Sequence, residues 1–435
     1  MIKVLIPAKF ETEKRYIIGF FLDQYGVEYE LDIHQEENYH LISEKGILIF
    51  KDAFFSKYES VQDYLQSQSI PESSLTIEID AFQFELIYGD QEFRKNESQV
   101  YCGLDIFASS FFMLTRWEEA LDCEKDEHGR FPEELCLSLK SGFHKRPIVN
   151  EYLSFFAHLL GLIGVEATSQ AKFQYRWTSD LEYEQKYDST WSVAKSVIGS
   201  LVKRFSITEA LQNLKEGRRT LADKSMDPYH QGLLKLDQWT KESNQKWHLY
   251  LIPSVLSEFD ARYSYESALK KLEPLNAEIG IHPSYNSFLN EAQFQEELKR
   301  MNEAIYAVEE GRQHFFRFKV PETWRTWNNA GLKLDSSLGF INIAGFRAGI
   351  CTPYPVFDVL ESKALDLIEI PTIIMDVALL KECPSKAEFI KEWEQLETQV
   401  REHKGLLNVL WHPNNVGHGP FRDLEAFIKM KITKS

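Results

Sequence analysis

The sequence predicts an α/β protein, a βα barrel preceded by a smaller α/β or α+β domain. Three observations predict it. From about residue 171 onward, short apolar runs alternate with stretches of helical period. Three of those runs end abruptly in residues able to do chemistry. Residues 173–178 lead into Ser179-Asp180-Leu181-Glu182, residues 278–281 into His282-Pro283-Ser284-Tyr285, and residues 406–411 into His412-Pro413-Asn414-Asn415. In βα barrels the site lies at that C-terminal face of the strands. The third observation is size: 435 residues, 43% of them hydrophobic, suffice for two domains or one large one.

The first domain is expected over residues 1–165. It opens with a strand at residues 2–6, a helix at 14–25 and a strand at 28–33. Further strands are expected at 46–50, 75–79 and 84–88. A long amphipathic helix should follow over 105–120, with Phe107, Phe111, Phe112 and Leu114 inward. The polar run 123–132 reads as a loop, and 147–160 as helix. This part holds no Gly-rich phosphate loop, no metal-spaced histidine pair and no nucleophile elbow, so it reads as a substrate-presenting or packing domain.

The second domain is expected over residues 171–435. A polar, lysine-rich helical insertion interrupts it at about 191–246 and should shape access to the site. Strands are then expected at 247–252, 278–282, 314–318, 332–336, 367–374 and 406–411. Between them the helices have readable ends. Asn290 caps a helix over 291–310 that Gly311 closes. Pro321 suits the first turn of a helix over 322–330. Ser385 and Glu388 form a capping box whose helix stops at Gly405. Six or seven βα units over about 260 residues match a barrel in size.

Charge and cysteine usage exclude several classes. A formal net charge of −17 repels phosphate backbones and anionic lipid heads, so nucleic acid and membrane surfaces are both unfavourable partners. No apolar run approaches the roughly 18 residues of a membrane span, so membrane insertion is not expected. The first residues are too briefly apolar for a secretory signal, which points to a cytoplasmic location. The cysteines number five and include no CxxC pair, which argues against a disulfide framework or a thiolate zinc site. Oligomeric state leaves no trace in the sequence.

Asp180 and Glu182, two apart on a strand end, place both carboxylates on one face. There they could serve as a base beside a metal ligand, or as loop acids capping the next helix. His282 is either a ligand for a divalent metal or a core histidine bonded to a carbonyl. Proline after it stops strand pairing. His314 and Arg317 lie three apart on an expected strand and face opposite sides without a bulge. Arg317 could hold a catalytic carboxylate ionised. Asp335 and Ser336 offer polar lining at the end of another strand. His412 stands where a general acid could reach a leaving group. Tyr285, Trp324, Trp327 and Trp411 are either sugar-stacking platforms or core.

The order of these motifs resembles the polysaccharide deacetylase (NodB-homology, carbohydrate esterase) family. Thr178-Ser179-Asp180-Leu181-Glu182 is similar to its acid motif and His282-Pro283-Ser284-Tyr285-Asn286 to its histidine motif. Arg317 through Pro321 is similar to its arginine motif, and Leu410-Trp411-His412 to its last strand end. The resemblance covers roughly residue 171 to the C-terminus. It implies a distorted (β/α)7 barrel, a divalent metal (zinc foremost), and removal of acetyl groups from a glycan or glycan precursor. It implies Asp180 as base, Arg317 as its orienter and His412 as acid. It implies metal ligands among Glu182, His282, Asn286 and His314, and substrate contacts at Tyr285, Trp324, Asp335, Ser336 and Trp411. Two positions depart from the pattern: the family's second aspartate is Leu181 here, and its second histidine is Asn286. A catalytically impaired barrel that only binds carbohydrate is therefore an alternative. So is a glycoside hydrolase pairing Asp180 or Glu182 with Asp335.

Overall fold

The structure is a computed structural model that describes residues 1–203, 205–261 and 263–434. Helices and both parallel and antiparallel strand pairs make it a mixed α/β protein. Contacts divide the chain into two units that do not each follow one stretch of sequence. Met1–Gln174, Phe315–Ile374 and Lys391–Leu407 form the first; Tyr175–His314, Met375–Ile390 and Asn408–Ser435 form the second.

The first unit opens with β1 (Ile2–Pro7), a helix at Glu11–Asp23, β2 (Tyr29–His34), β3 (Tyr39–Ile42) and β4 (Ile47–Phe50). The hairpin β5 (Leu75–Ile79) and β6 (Phe82–Leu86) stands apart, followed by β7 (Gly89–Lys95) and β8 (Gln99–Leu104). The main sheet runs β2-β1-β3-β4-β8-β7. Its β1–β2 and β4–β8 pairs are parallel and its β1–β3 and β7–β8 pairs antiparallel. Aromatics fill the core: Phe107 meets Phe21, Tyr39 and Phe50 edge-on at 5.3, 5.1 and 5.0 Å, the tilt ring quadrupoles favour.

The helix expected over 105–120 is instead two. Ile106–Thr115 is buried on every side, as a helix apolar all round must be. It stops at Arg116, whose backbone is left-handed (φ 50°), before a short turn at Trp117–Ala120. Arg116 is fully buried, donates to Glu118 and to Glu119 (2.9 Å), and Glu119 also takes two bonds from Arg347 (3.0 and 2.7 Å). A buried charge needs such partners, and reaching them breaks the helix.

The second unit begins with β9 (Gln174–Leu181). The insertion follows as helices Thr190–Val202, Ile207–Ala222 and Pro228–Glu242. Then come β10 (Trp247–Leu251), a helix at Tyr265–Leu272, β11 (Ala277–Ile281), a helix at Glu291–Ala304 and the two-residue β12 (Glu310–Gly311). Strands β9, β10, β11 and β12 lie side by side and parallel. Close packing explains the glycine inside β11. A Cβ on Gly280 would sit 2.6 Å from the Glu310 carbonyl oxygen and 2.5 Å from the Tyr250 ring. The helix expected to reach 310 ends at Ala304. Glu310 serves instead in β12, bonded to Arg176 and, at 2.6 Å, to His248.

The strand expected at 314–318 is not there. His314–Phe316 is a tight turn with Phe315 and Phe316 left-handed (φ 59° and 48°). A helix at Glu322–Asn329 precedes β13 (Leu334–Asp335), β14 (Tyr354–Asp358) and β15 (Lys363–Glu369). Strand β15 pairs parallel with β13 and antiparallel with β14. The chain closes with β16 (Ile374–Met375), helices Asp376–Glu382 and Lys386–Glu402, β17 (Leu406–Leu410) and a helix at Glu425–Thr433. Strand β17 lies against β9, the Trp411 amide donating to the Thr178 carbonyl at 2.9 Å.

All five cysteines are free, three of them buried. No helix among the described residues is long and apolar enough to cross a membrane.

Candidate metal and acid–base site

Three strands of the second unit deliver the chemistry. Asp180 is the penultimate residue of β9, with Glu182 just beyond its end. His282 immediately follows β11, and His314 lies three residues past β12. Facing oxygens or nitrogens of Glu182, His282 and His314 lie within 4.8 Å of one another. His282 Nε2 is 2.8 Å from His314 Nδ1, and His314 Nδ1 is 3.7 Å from Glu182 Oε1. Both rings are almost wholly buried.

The opposite nitrogen of each ring fixes its tautomer. His282 Nδ1 lies 2.7 Å from the Arg312 carbonyl, and His314 Nε2 lies 2.8 Å from the Phe259 carbonyl. A carbonyl only accepts, so each of those nitrogens carries the hydrogen. The facing nitrogens are then bare lone pairs. Protonation is not their resolution: burial lowers the pKa of His282, and burial with the His282 neighbour lowers that of His314 to about 4. Two lone pairs and a carboxylate directed at one point fit a divalent cation, each imidazole anchored from behind as metal-binding histidines are.

Asp180 adjoins this group. Its Oδ1 accepts from Arg312 Nη1 at 2.9 Å, and its Oδ2 lies 3.7 Å from His282 Nε2. Burial alone would raise its pKa; Arg312, then His282 and His412, outweigh burial and hold it below the usual range. Arg312, itself fully buried, also donates to Thr178 Oγ1 at 2.9 Å. His412 follows β17. Its Nδ1 is 2.7 Å from Asp376 Oδ1, and its amide donates to Asp376 Oδ2 at 2.8 Å. Burial would lower its pKa; Asp376 first, and Glu182 and Asp180 after it, raise it to about 10. The fields of Asp180, His282 and His412 thus reach one another, and that of Glu182 reaches His412.

Several expected residues stand elsewhere. Arg317 does not hold Asp180: its Nε donates to the His128 carbonyl at 2.7 Å, and Arg312 is the orienting guanidinium. The left-handed Phe315 and Phe316 redirect the chain between the two arginines. Asn286 is exposed on the turn Tyr285–Ser287, whereas the three clustered side chains are buried or partly so. Trp324, Trp327 and Trp411 are sealed in the interior, with Trp324 Nε1 bonded to Glu369 at 2.9 Å, and offer no face to a sugar. Asp335 is fully buried against Ser337, and Ser336 Oγ donates to the Ile370 carbonyl at 3.2 Å, so neither lines a site. Tyr285 is partly exposed, its ring 4.5 Å from that of Phe259.

Two side chains that bond to the candidate residues escaped the sequence reading. Arg312 sits five residues before the arginine chosen, in the same polar run. Asp376 opens a helix 36 residues before His412, a separation no motif spacing signals.

Two other groups of histidines and acids among the described residues are less suited to a metal. Around His248, Arg176 already supplies the cation, 3.1 Å from His248 Nε2 and bonded to Glu310. In the group His34, Glu36 and His40, the Glu36 side chain is 71% exposed and free to leave.

Residues 2–163 match a family of unknown function (DUF7033). No curated protein matches the chain. Among solved structures, the chain is similar to a candidate polysaccharide deacetylase from Mycobacterium smegmatis. The identity is 15% and the TM-score 0.38, covering 62% of this chain and 86% of that one. It is also similar to a candidate polysaccharide deacetylase involved in O-antigen biosynthesis from Bordetella bronchiseptica. There the identity is 13% and the TM-score 0.32, covering 61% of this chain and 84% of that one.

Proposed function

We propose that the protein is a metal-dependent deacetylase that removes acetyl groups from a glycan or glycan precursor, its site carried by a distorted βα barrel. In this reading residues 171–435 supply the chemistry and residues 1–165 an accessory domain. The observation that carries it is the pair of buried imidazole nitrogens 2.8 Å apart beside Glu182, each ring held by a backbone carbonyl at its other nitrogen.

Glu182, His282 and His314 would hold the cation, and a two-imidazole, one-carboxylate set suits zinc. When bound, such an ion polarises a carbonyl and lowers the pKa of water. Asp180, held ionised by Arg312, takes the proton of the attacking water on Oδ2. Arg312 fixes the carboxylate and keeps its charge available. His412 carries a proton at neutral pH and donates it from Nε2 to the departing amine or alcohol, while Asp376 holds the ring from Nδ1. Water and the acetylated sugar become acetate and the free amine or hydroxyl. The glycoside-hydrolase alternative loses its second carboxylate, because Asp335 is buried and bonded to Ser337.

The test is acetate release from an acetylated glucosamine oligosaccharide by zinc-loaded protein, with His282→Ala as control. Release by the wild type alone supports the proposal. Reducing ends appearing without acetate would favour a glycosidase, and neither product would leave a binding role.

A further inference from the structure

In the insertion, burial runs against polarity. Helices Thr190–Val202 and Ile207–Ala222 meet through small or polar side chains, including Val193, Ser200, Asn213 and Gly217. Asn213 Nδ2 donates to Ser200 Oγ at 2.8 Å, and a Cβ on Gly217 would sit 2.4 Å from a Val193 methyl. The large apolar side chains are exposed instead, those of the first helix (Trp191, Ile198 and Val202) along the rim of an open cleft. Trp191 is 72% exposed, Ile198 54%, Val202 64%, Phe205 88%, Ile207 69% and Leu211 63%. Trp191, Ile198 and Val202 recur at i, i+7 and i+11, and Ile207 and Leu211 at i and i+4. Each helix therefore shows one apolar stripe.

Charge says what covers these stripes. Lys195, Lys203, Lys215, Arg218 and Arg219 are all exposed on this hairpin, against two acids, Glu209 and Glu216, in a chain of net charge −17. A second copy docking by the same face would set cations against cations. An anionic bilayer satisfies both features, with apolar side chains among the acyl chains and the basic ones on lipid phosphates. We infer that the 190–222 hairpin docks this protein on an anionic lipid surface, its local excess of cations overriding at short range the repulsion expected from the chain's net charge of −17.

The first helix of the hairpin also walls a cleft of about 730 Å³ with Asn414 and Asn415. Asn415 Nδ2 donates to Asp376 at 2.8 Å, the carboxylate that holds His412. If the deacetylase reading holds, a sugar carried on a lipid would enter by this cleft; the docking itself does not depend on that reading.

The experiment is flotation of the full-length protein with vesicles of phosphatidylcholine alone or mixed with phosphatidylglycerol. Binding to the mixed vesicles only is expected, weakening as salt rises. The double variant Trp191→Ser, Phe205→Ser and the double variant Lys203→Glu, Arg218→Glu should each lose about tenfold or more in affinity with unchanged circular dichroism. Wild-type protein that floats with neither vesicle overturns the inference. So does a dimer in sedimentation that Phe205→Ser dissolves without any vesicle binding; that result would assign the face to a second copy. Acetate release from a soluble sugar reads the other proposal separately.

Discussion

His282 and His314 each spend one nitrogen on a backbone carbonyl, which leaves both buried rings only one way to face the cluster. His282 was legible in the sequence because a strand with a proline after it must deliver its last side chain to an end. Asp180, Glu182 and His412 were legible because each stands at or just past the end of an apolar run, and His412 is also followed by a proline. The choice between Arg312 and Arg317 was not, since it turns on two left-handed phenylalanines that no composition rule anticipates. Asp180→Asn should leave zinc stoichiometry near the wild type and lower kcat by about 10²-fold or more, measured by equilibrium dialysis and acetate release. An unchanged rate contradicts the role of base. Asp376→Asn tests the acid. In metal-free protein, the His412 ring titrated by NMR should hold its proton to about pH 10, and the variant should release it at lower pH. Identical titrations would remove Asp376 as the cause.

Elements with strong local signals were found where expected. The capping box is an example: the Glu388 amide donates to Ser385 Oγ at 3.2 Å, and Ser385 Oγ returns a bond to the Glu388 carboxylate at 2.7 Å. Elements made by tertiary contact were missed. Strand β12 is two residues long, too short to show a period. The break at Arg116 follows from a buried ion network assembled from distant sequence. Strand β11 depends on the absence of a Cβ at Gly280. Gly280→Ala should destabilise by about 1–3 kcal/mol through overpacking against backbone, read as a lower midpoint in urea. An unshifted midpoint would show that the strands can part without cost.

At the scale of the whole molecule, the sequence suggested one cut near residue 165, and the contacts group later segments with the first. Hydrophobic pattern reports that a segment is buried, not which unit buries it. The first unit holds an unusual pair, Asp335 on β13 opposite Glu369 on β15, both fully buried. Burial raises Asp335 to about pKa 6, and burial with the Asp335 charge raises Glu369 well above its ordinary value. A folded pKa above the unfolded one stabilises most below the unfolded value, about 3.8 for Asp335, and that stability is lost as pH rises through about 6. Wild type should therefore lose of the order of 1–3 kcal/mol relative to Asp335→Asn between pH 4 and 7, measured by denaturant titration. Parallel pH curves for the two proteins would contradict a shared buried charge.

The shortest route to the central proposal is an anomalous-scattering map from crystals soaked in zinc. A single strong peak within bonding distance, about 2.0–2.2 Å, of Glu182, His282 Nε2 and His314 Nδ1 is expected. Density in which the two imidazoles remain directly apposed with no ion between them would contradict it.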